Sequence, residues 1–366
     1  MSIRAFLTIS ASVAMAPAAL AFDMALVEKG IEMAGTPVVL GPKTIGILQQ
    51  DAQAEGAFRI AEGARVPAEH LGWNVIICDG AGDPDRMASC SDSLLTQGAD
   101  AILSVAIEPV LVLAQLHRAH AAGVPWITLG SATAPSELIT AQYAPLETEM
   151  SDALHAYVIT QLDQRPGSQH TIGIATSHRV RAAKIRSDAL YEDLKTTDIT
   201  VVAEHVSTHR AQFSGPQPPF DRQVTAFPDV DALLATTRYA VPSMGQLASL
   251  SFQGKAFPER PLIVGYFDDV PNVEAVRAGG VDALVTMRLD ASGYVAIDQL
   301  AQLWARGRPI NTAAYINSIE TYGIDLREVS IVTEANLPAP GTYLDPATDY
   351  ETFFASKWAS EFNAGG

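Results

Sequence analysis

The residues able to do chemistry in this chain are few and poorly grouped for catalysis. His117 and His120 sit three apart on a helical pattern, and His205 and His209 bracket a strand end. Neither pair has the neighbouring carboxylate or third ligand that a metal site needs. Gly80-Ala81-Gly82 lacks the third glycine of a dinucleotide loop and no Gly-x-Ser-x-Gly elbow occurs, so neither an oxidoreductase nor a hydrolase is supported. What remains is hydrogen bonding. Gln49, Gln50 and Asp51 follow the apolar run 44–48, and Asp268 and Asp269 follow the run 262–267. Amides and carboxylates placed there can take up hydroxyls or amines, and Phe58 and Tyr239 could stack on a ring.

These groups need elements to position them. The first half predicts strand 44–48, helix 54–71, strand 73–78, helix 84–97, strand 101–105, helix 109–122 and strand 125–129. Each strand is a short, nearly all-apolar run, which is the pattern of a parallel sheet covered on both faces. Asp83-Pro84 supplies an N-cap and a first-turn proline, and Gly72, Gly98 and Gly123 close helices. Pro67 predicts a kink in the first helix or its early end. Trp73 and Trp126 read as core.

After a lapse at 132–145 the cadence resumes with helix 148–164, strand 171–175, helix 179–195 and strand 199–205. A proline- and glycine-rich loop, 208–229, interrupts it. Strand 230–236, helix 242–253, strand 262–267, helix 271–279, strand 282–287 and helix 291–306 follow, then strand-like runs at 313–321 and 329–333. The fold class is therefore α/β, with two Rossmann-like lobes of parallel sheet flanked by helices. Crossings near 143–147, 287–291 and 321–328 act as hinges around a central cleft, into which strand tips and helix N-termini point.

Residues 1–21 have a basic start at Arg4, a short apolar middle and a small-x-small end, the pattern of a signal peptide cleaved after Ala21. Residues 22–42 form an N-terminal arm with an amphipathic stretch at 24–33. The N-terminal lobe is expected over 43–145 plus 289–323, the C-terminal lobe over 146–288 plus 324–345, and a tail over 346–366. No later window reaches the ~20 apolar residues of a membrane helix, so export to the periplasm without membrane insertion follows. Forty-one acidic against twenty-four basic residues give a net charge of −17. That balance repels nucleic acid and anionic membrane. In an oxidising compartment Cys78 and Cys90, the only cysteines, read as a disulfide, with two buried thiols as the alternative.

The chain resembles the periplasmic solute-binding proteins of the ribose-binding type, which feed ABC importers. Residues 44–48 with Gly63-Ala64 and Leu71-Gly72-Trp73, then 79–84, 97–102 and 122–128, carry the match in the first half. Residues 264–268, 278–283 and 331–336 carry it in the second. The resemblance implies no enzyme activity, no cofactor, a monomer, a small polar ligand and a transient membrane permease partner. It also brings further positions to the cleft. Ser131 stands where the family's Asp-Arg grips sugar hydroxyls, Lys184 and Arg186 stand near the arginine of the second lobe's first helix, and Thr237 replaces an asparagine beside Arg238. Asp268 matches an aspartate, with Asp269 as the alternative, and Arg288 replaces a glutamine at the last crossing.

With Gln49, Asp51 and Phe58, these make the candidate ligand set. The exchange of acids for cations would favour a carboxylate or phosphate over a neutral sugar. Two other functions fit the same fold: a sensor subunit that presents ligand to a histidine kinase or chemoreceptor, and a cleft enzyme on acidic substrates.

Overall fold

Two sheets of mainly parallel strands, each covered by helices on both faces, carry the chain. The computed structural model describes residues 37–178, 180–206, 229–344 and 348–364. The expected signal peptide, the amphipathic stretch 24–33, His209 and nearly all of the 208–229 loop lie outside the described residues.

The N-terminal lobe begins with β1 (Val38–Leu40), β2 (Thr44–Gln49), α1 (Glu55–His70), β3 (Asn74–Asp79) and α2 (Pro84–Thr96). It continues with β4 (Ala101–Val105), α3 (Leu113–Ala121), β5 (Trp126–Leu129) and β6 (Ala141–Tyr143). Its sheet runs in the order β3-β2-β4-β5-β6, parallel throughout. β4 and β5 are fully buried because helices cover both faces, which is why their sequences show no alternation. Trp126 is satisfied there by a bond from its indole N–H to the Ser104 hydroxyl at 2.9 Å. Asp83 caps α2 as its position suggests, accepting the N–H groups of Asp85 and Arg86 at 2.9 and 3.0 Å. A disulfide joins Cys78 at the end of β3 to Cys90 on α2, with Cα atoms 5.5 Å apart.

The chain then enters the C-terminal lobe. Its elements are α4 (Glu147–Leu162), β7 (His170–Thr176), α5 (Arg181–Asp193), β8 (Ile199–Val206), β9 (Ala232–Ala235), α6 (Val241–Ser251), β10 (Leu262–Tyr266), α7 (Val270–Arg277) and β11 (Ala283–Thr286). It returns to the first lobe for α8 (Ala291–Arg306) and α9 (Ser318–Tyr322), then adds β12 (Ser330–Val332) to the second sheet. That sheet runs β12-β11-β10-β9-β7-β8, with β12 alone antiparallel. Finally α10 (Tyr350–Glu361) and β13 (Phe362–Ala364) come back to the first lobe, where β13 pairs with β1. Tyr294 of α8 stacks on Trp358 of α10, centroids 6.2 Å apart, and the Trp358 indole donates to buried Asp298 at 2.8 Å.

Three local expectations need correction. Pro67 does not break α1, which runs on to His70. Only the bond to the Gly63 carbonyl is lost to the proline ring, and that carbonyl lies against Gly293 of α8. A Cβ on Gly293 would meet the Gly63 backbone at 2.4 Å, so the two glycines permit the close approach of α1 and α8. Second, the run 313–321 is a turn followed by α9, with no strand. Ala314 and Tyr315 are apolar there because they enter the core, and the Asn311 side chain accepts the Ala313 N–H to start the turn. Third, the helix expected at 109–122 opens as a 3₁₀ turn, Pro109–Val112, before α3.

Candidate functional site

The C-terminal ends of the strands in both sheets face one another across a cavity of about 330 Å³. From the first lobe come Gln50 after β2, the start of α1 at Gly56, Ala57 and Ile60, the turn after β4 with Ala106 and Glu108, and Gly130 to Thr133 after β5. From the second come Val180 to Ala183 at the start of α5, Arg186 one turn on, Thr237 to Tyr239 after β9, and Phe267 after β10. This is the switch-point crevice of an open α/β sheet, supplied twice.

Electrostatics in the second lobe are built around Phe267. Its backbone is in the left-handed region, φ +70°, an unusual place for a bulky residue. The conformation is held by bonds from the Phe267 N–H to the Val285 carbonyl, 2.7 Å, and from the Asn272 amide to the Phe267 carbonyl, 3.1 Å. The ring carries the Arg186 guanidinium 4.7 Å and the Arg238 guanidinium 3.9 Å from its centroid. Arg186 is buried, with Nε donating to Glu147 at 2.8 Å and Nη1 to the Thr236 carbonyl at 2.8 Å. Arg238 Nη1 donates to both oxygens of Asp269 at 2.8 and 3.0 Å. Burial pushes the Tyr239 hydroxyl up to about 12, so it is a neutral donor on the wall.

The lobes also touch directly. Arg59 of α1 reaches across to Asp268, Nη1 to Oδ1 3.0 Å, with both side chains nearly inaccessible to water. Asp268 Oδ1 accepts as well from the Thr286 hydroxyl at 2.8 Å, and Oδ2 from the Leu344 N–H at 3.0 Å. Burial acts to raise the Asp268 carboxyl, but the Arg59 charge and the Thr286 hydroxyl outweigh it and hold the group below the usual carboxylate value. The Arg59 guanidinium also lies over the Tyr343 ring, its carbon 3.6 Å from the centroid. Glu55 caps α7 from the opposite lobe, both carboxylate oxygens 3.0 Å from the Val270 N–H.

Of the positions expected from the sequence, Ser131, Arg186, Thr237 and Arg238 come together on the cavity wall. Gln49 and Asp51 are buried at the tip of β2 beside it, and Asp51 accepts the Gln53 N–H at 2.9 Å. Asp268 is buried but taken up by Arg59. Lys184 points to solvent and pairs with Asp188 at 2.5 Å, and Phe58 is half exposed on α1. Arg288 stands at the crossing, where its carbonyl accepts the Tyr315 hydroxyl and its Nη2 is buried without a hydrogen-bond partner among the described residues. Arg59, Glu55, Glu108 and Arg181 were not expected. His117 and His120 are exposed, and no metal-binding cluster occurs among the described residues.

Two lobes of parallel sheet, joined by repeated crossings and lined by facing strand tips, define a cleft-type solute-binding protein. The chain belongs to the periplasmic binding protein domain family, matched over residues 45–309. No curated protein matches it. Among solved structures it is similar to an ABC sugar transporter subunit from Rhodobacter sphaeroides 2.4.1, at 16% identity and TM-score 0.64, covering 80% of this chain and 99% of that one. It is also similar to a carbohydrate transporter solute binding protein from Agrobacterium radiobacter in complex with D-arabinose, at 17% identity and TM-score 0.64, covering 82% and 97%. A periplasmic ribose ABC transporter protein from Conexibacter woesei DSM 14684 matches at 17% identity and TM-score 0.63, covering 83% and 95%. No helix among the described residues is long and apolar enough to cross a membrane.

Proposed function

We propose that this protein is exported to the periplasm, captures a small polar solute between its lobes and delivers it to an ABC permease. The observation that carries the reading is the cavity itself, walled by strand tips and helix starts from both sheets. A ligand bridging the two walls stabilises the closed arrangement over the open one by its differential contacts, and a permease can read that shift. Among the described residues the wall holds no histidine, cysteine or lysine, which favours capture over turnover.

A thermal-shift screen over sugars, polyols, sugar acids, sugar phosphates and aromatic acids tests the reading, since a ligand of the native state raises stability by mass action. The expected result is a saturable rise with at least one compound, recovered unchanged after long incubation. A screen without any rise, or a compound consumed by the protein, would refute it.

A further inference from the structure

The cavity wall is rich in cationic donors and poor in carboxylate acceptors. Three arginines, Arg181, Arg186 and Arg238, line it against one carboxylate, Glu108, and that carboxylate already accepts the Ala134 N–H at 3.0 Å. Most of the other acids near the strand tips are engaged through at least one oxygen, although Glu147 Oε1 is buried without a partner among the described residues and Asp51 accepts only the Gln53 N–H there. Asp268 is held by Arg59, Thr286 and Leu344, Asp269 by Arg238, and Glu147 by Arg186. The donors are less fully used. Nε and Nη2 of Arg238 have no hydrogen-bond partner among the described residues, and the Arg181 side chain forms no ion pair among them. Val180 gives α5 no side-chain cap, so the first-turn N–H groups of this thirteen-residue helix open on the same wall. Opposite them the first lobe presents a small and apolar patch, Gly56, Ala57, Ile60, Ala106 and Gly130, beside the polar Gln50, Ser131 and Thr133.

A neutral sugar brings a proton on every hydroxyl, and each needs an acceptor once water is excluded. A carboxylate brings acceptors only. Resting on the solute-binding reading, we propose that the cleft selects a small organic acid, its carboxylate held by Arg186, Arg238 and the first turn of α5 and its compact body set against the apolar patch of the first lobe. Arg59 is then a specificity-determining residue. By engaging Asp268 it removes from the cleft a carboxylate that would accept hydroxyl protons. Phe267 is a positioning residue, because its ring orients both guanidinium groups. Two cations beside one ring repel each other, and each has a single carboxylate partner, so an anion between them completes the arrangement.

Calorimetric titration of the full chain with matched pairs tests this: 2-hydroxy-3-methylbutanoate against its neutral amide, and D-arabinonate against D-arabinose and D-arabinose 5-phosphate. At least one acid is expected to bind at least tenfold more tightly than its neutral counterpart. Arg238→Gln should weaken that acid at least tenfold, and Arg181→Gln, at an exposed position, should weaken it by a smaller factor. Binding of a neutral compound as tight as that of its acid, or no binding by any acid, overturns the ligand class while a bound sugar leaves the transport reading intact. Tighter binding of the phosphate than of arabinonate overturns the carboxylate assignment. Consumption of a probe would instead overturn the transport reading.

Discussion

Replacing Arg59 by methionine keeps the length of the stem and removes the charge that joins the lobes. At 3.0 Å and an effective dielectric of about 20, its attraction to Asp268 is worth about 5 kcal/mol. The side chains are 9% and 3% exposed, so salt screens the pair little. Desolvation offsets part of the gain while the pair is intact. Removing the arginine alone leaves Asp268 buried with the Thr286 hydroxyl and the Leu344 N–H, and a loss of about 3 kcal/mol is expected. The melting temperature at pH 7.5 should then fall by about 6 °C, at roughly 2 °C per kcal/mol for a chain of this size.

The pH dependence has a definite sign. In the wild type the folded Asp268 carboxyl lies below its ordinary value, so its contribution is present above about pH 4 and is lost as the pH falls. In Arg59→Met burial acts without the main opposing charge and raises the carboxyl, so stability is lost as the pH rises above about 4. The deficit of the variant must therefore shrink between pH 7.5 and pH 4. Opening the cleft returns water to Asp268, and 3 kcal/mol is roughly a hundredfold change in the balance of closed and open forms. Small-angle scattering of the ligand-free variant should show a larger radius of gyration. A deficit equal at both pH values, or none at pH 7.5 with unchanged scattering, would refute the reasoning.

Two other substitutions follow from the geometry. Cys78→Ser with Cys90→Ser opens a loop of separation 12 and should cost about 3 kcal/mol, seen as a lower denaturant midpoint, and an unchanged midpoint contradicts a stabilising bridge. A Cβ on Gly56 would lie 1.6 Å from Arg238 Nη1, so Gly56→Ala must displace the guanidinium and weaken the tightest acid of the panel by about tenfold, ~1.4 kcal/mol. Wild-type affinity in that variant would show that Arg238 does not hold the ligand.

The strand cadence was legible because burial on both faces leaves unbroken apolar runs, and the limits of α8 were readable as residues 291–306. Ser131, Arg186, Thr237 and Arg238 were readable only through the resemblance to the ribose-binding type, which marks the positions just past the strand ends and near the start of a helix. Arg59 was not. It lies in the middle of α1, 209 residues from its partner in sequence, and looks like any charge on a solvated helix face. Lys184 and Arg186 illustrate the same limit. Two residues apart on α5, they point in different directions, and only the sheet beneath decides which is buried. The run 313–321 misled because a buried turn and a buried strand share apolar composition.

On the proposed reading, one ligand is held by both lobes at once. Filling the cavity from either wall, with Ala57→Trp in the first lobe or Ala183→Trp in the second, tests it by calorimetric titration of the tightest ligand from the screen. Both variants are expected to lose measurable binding while keeping a cooperative thermal transition. Wild-type affinity in either folded variant would contradict the account.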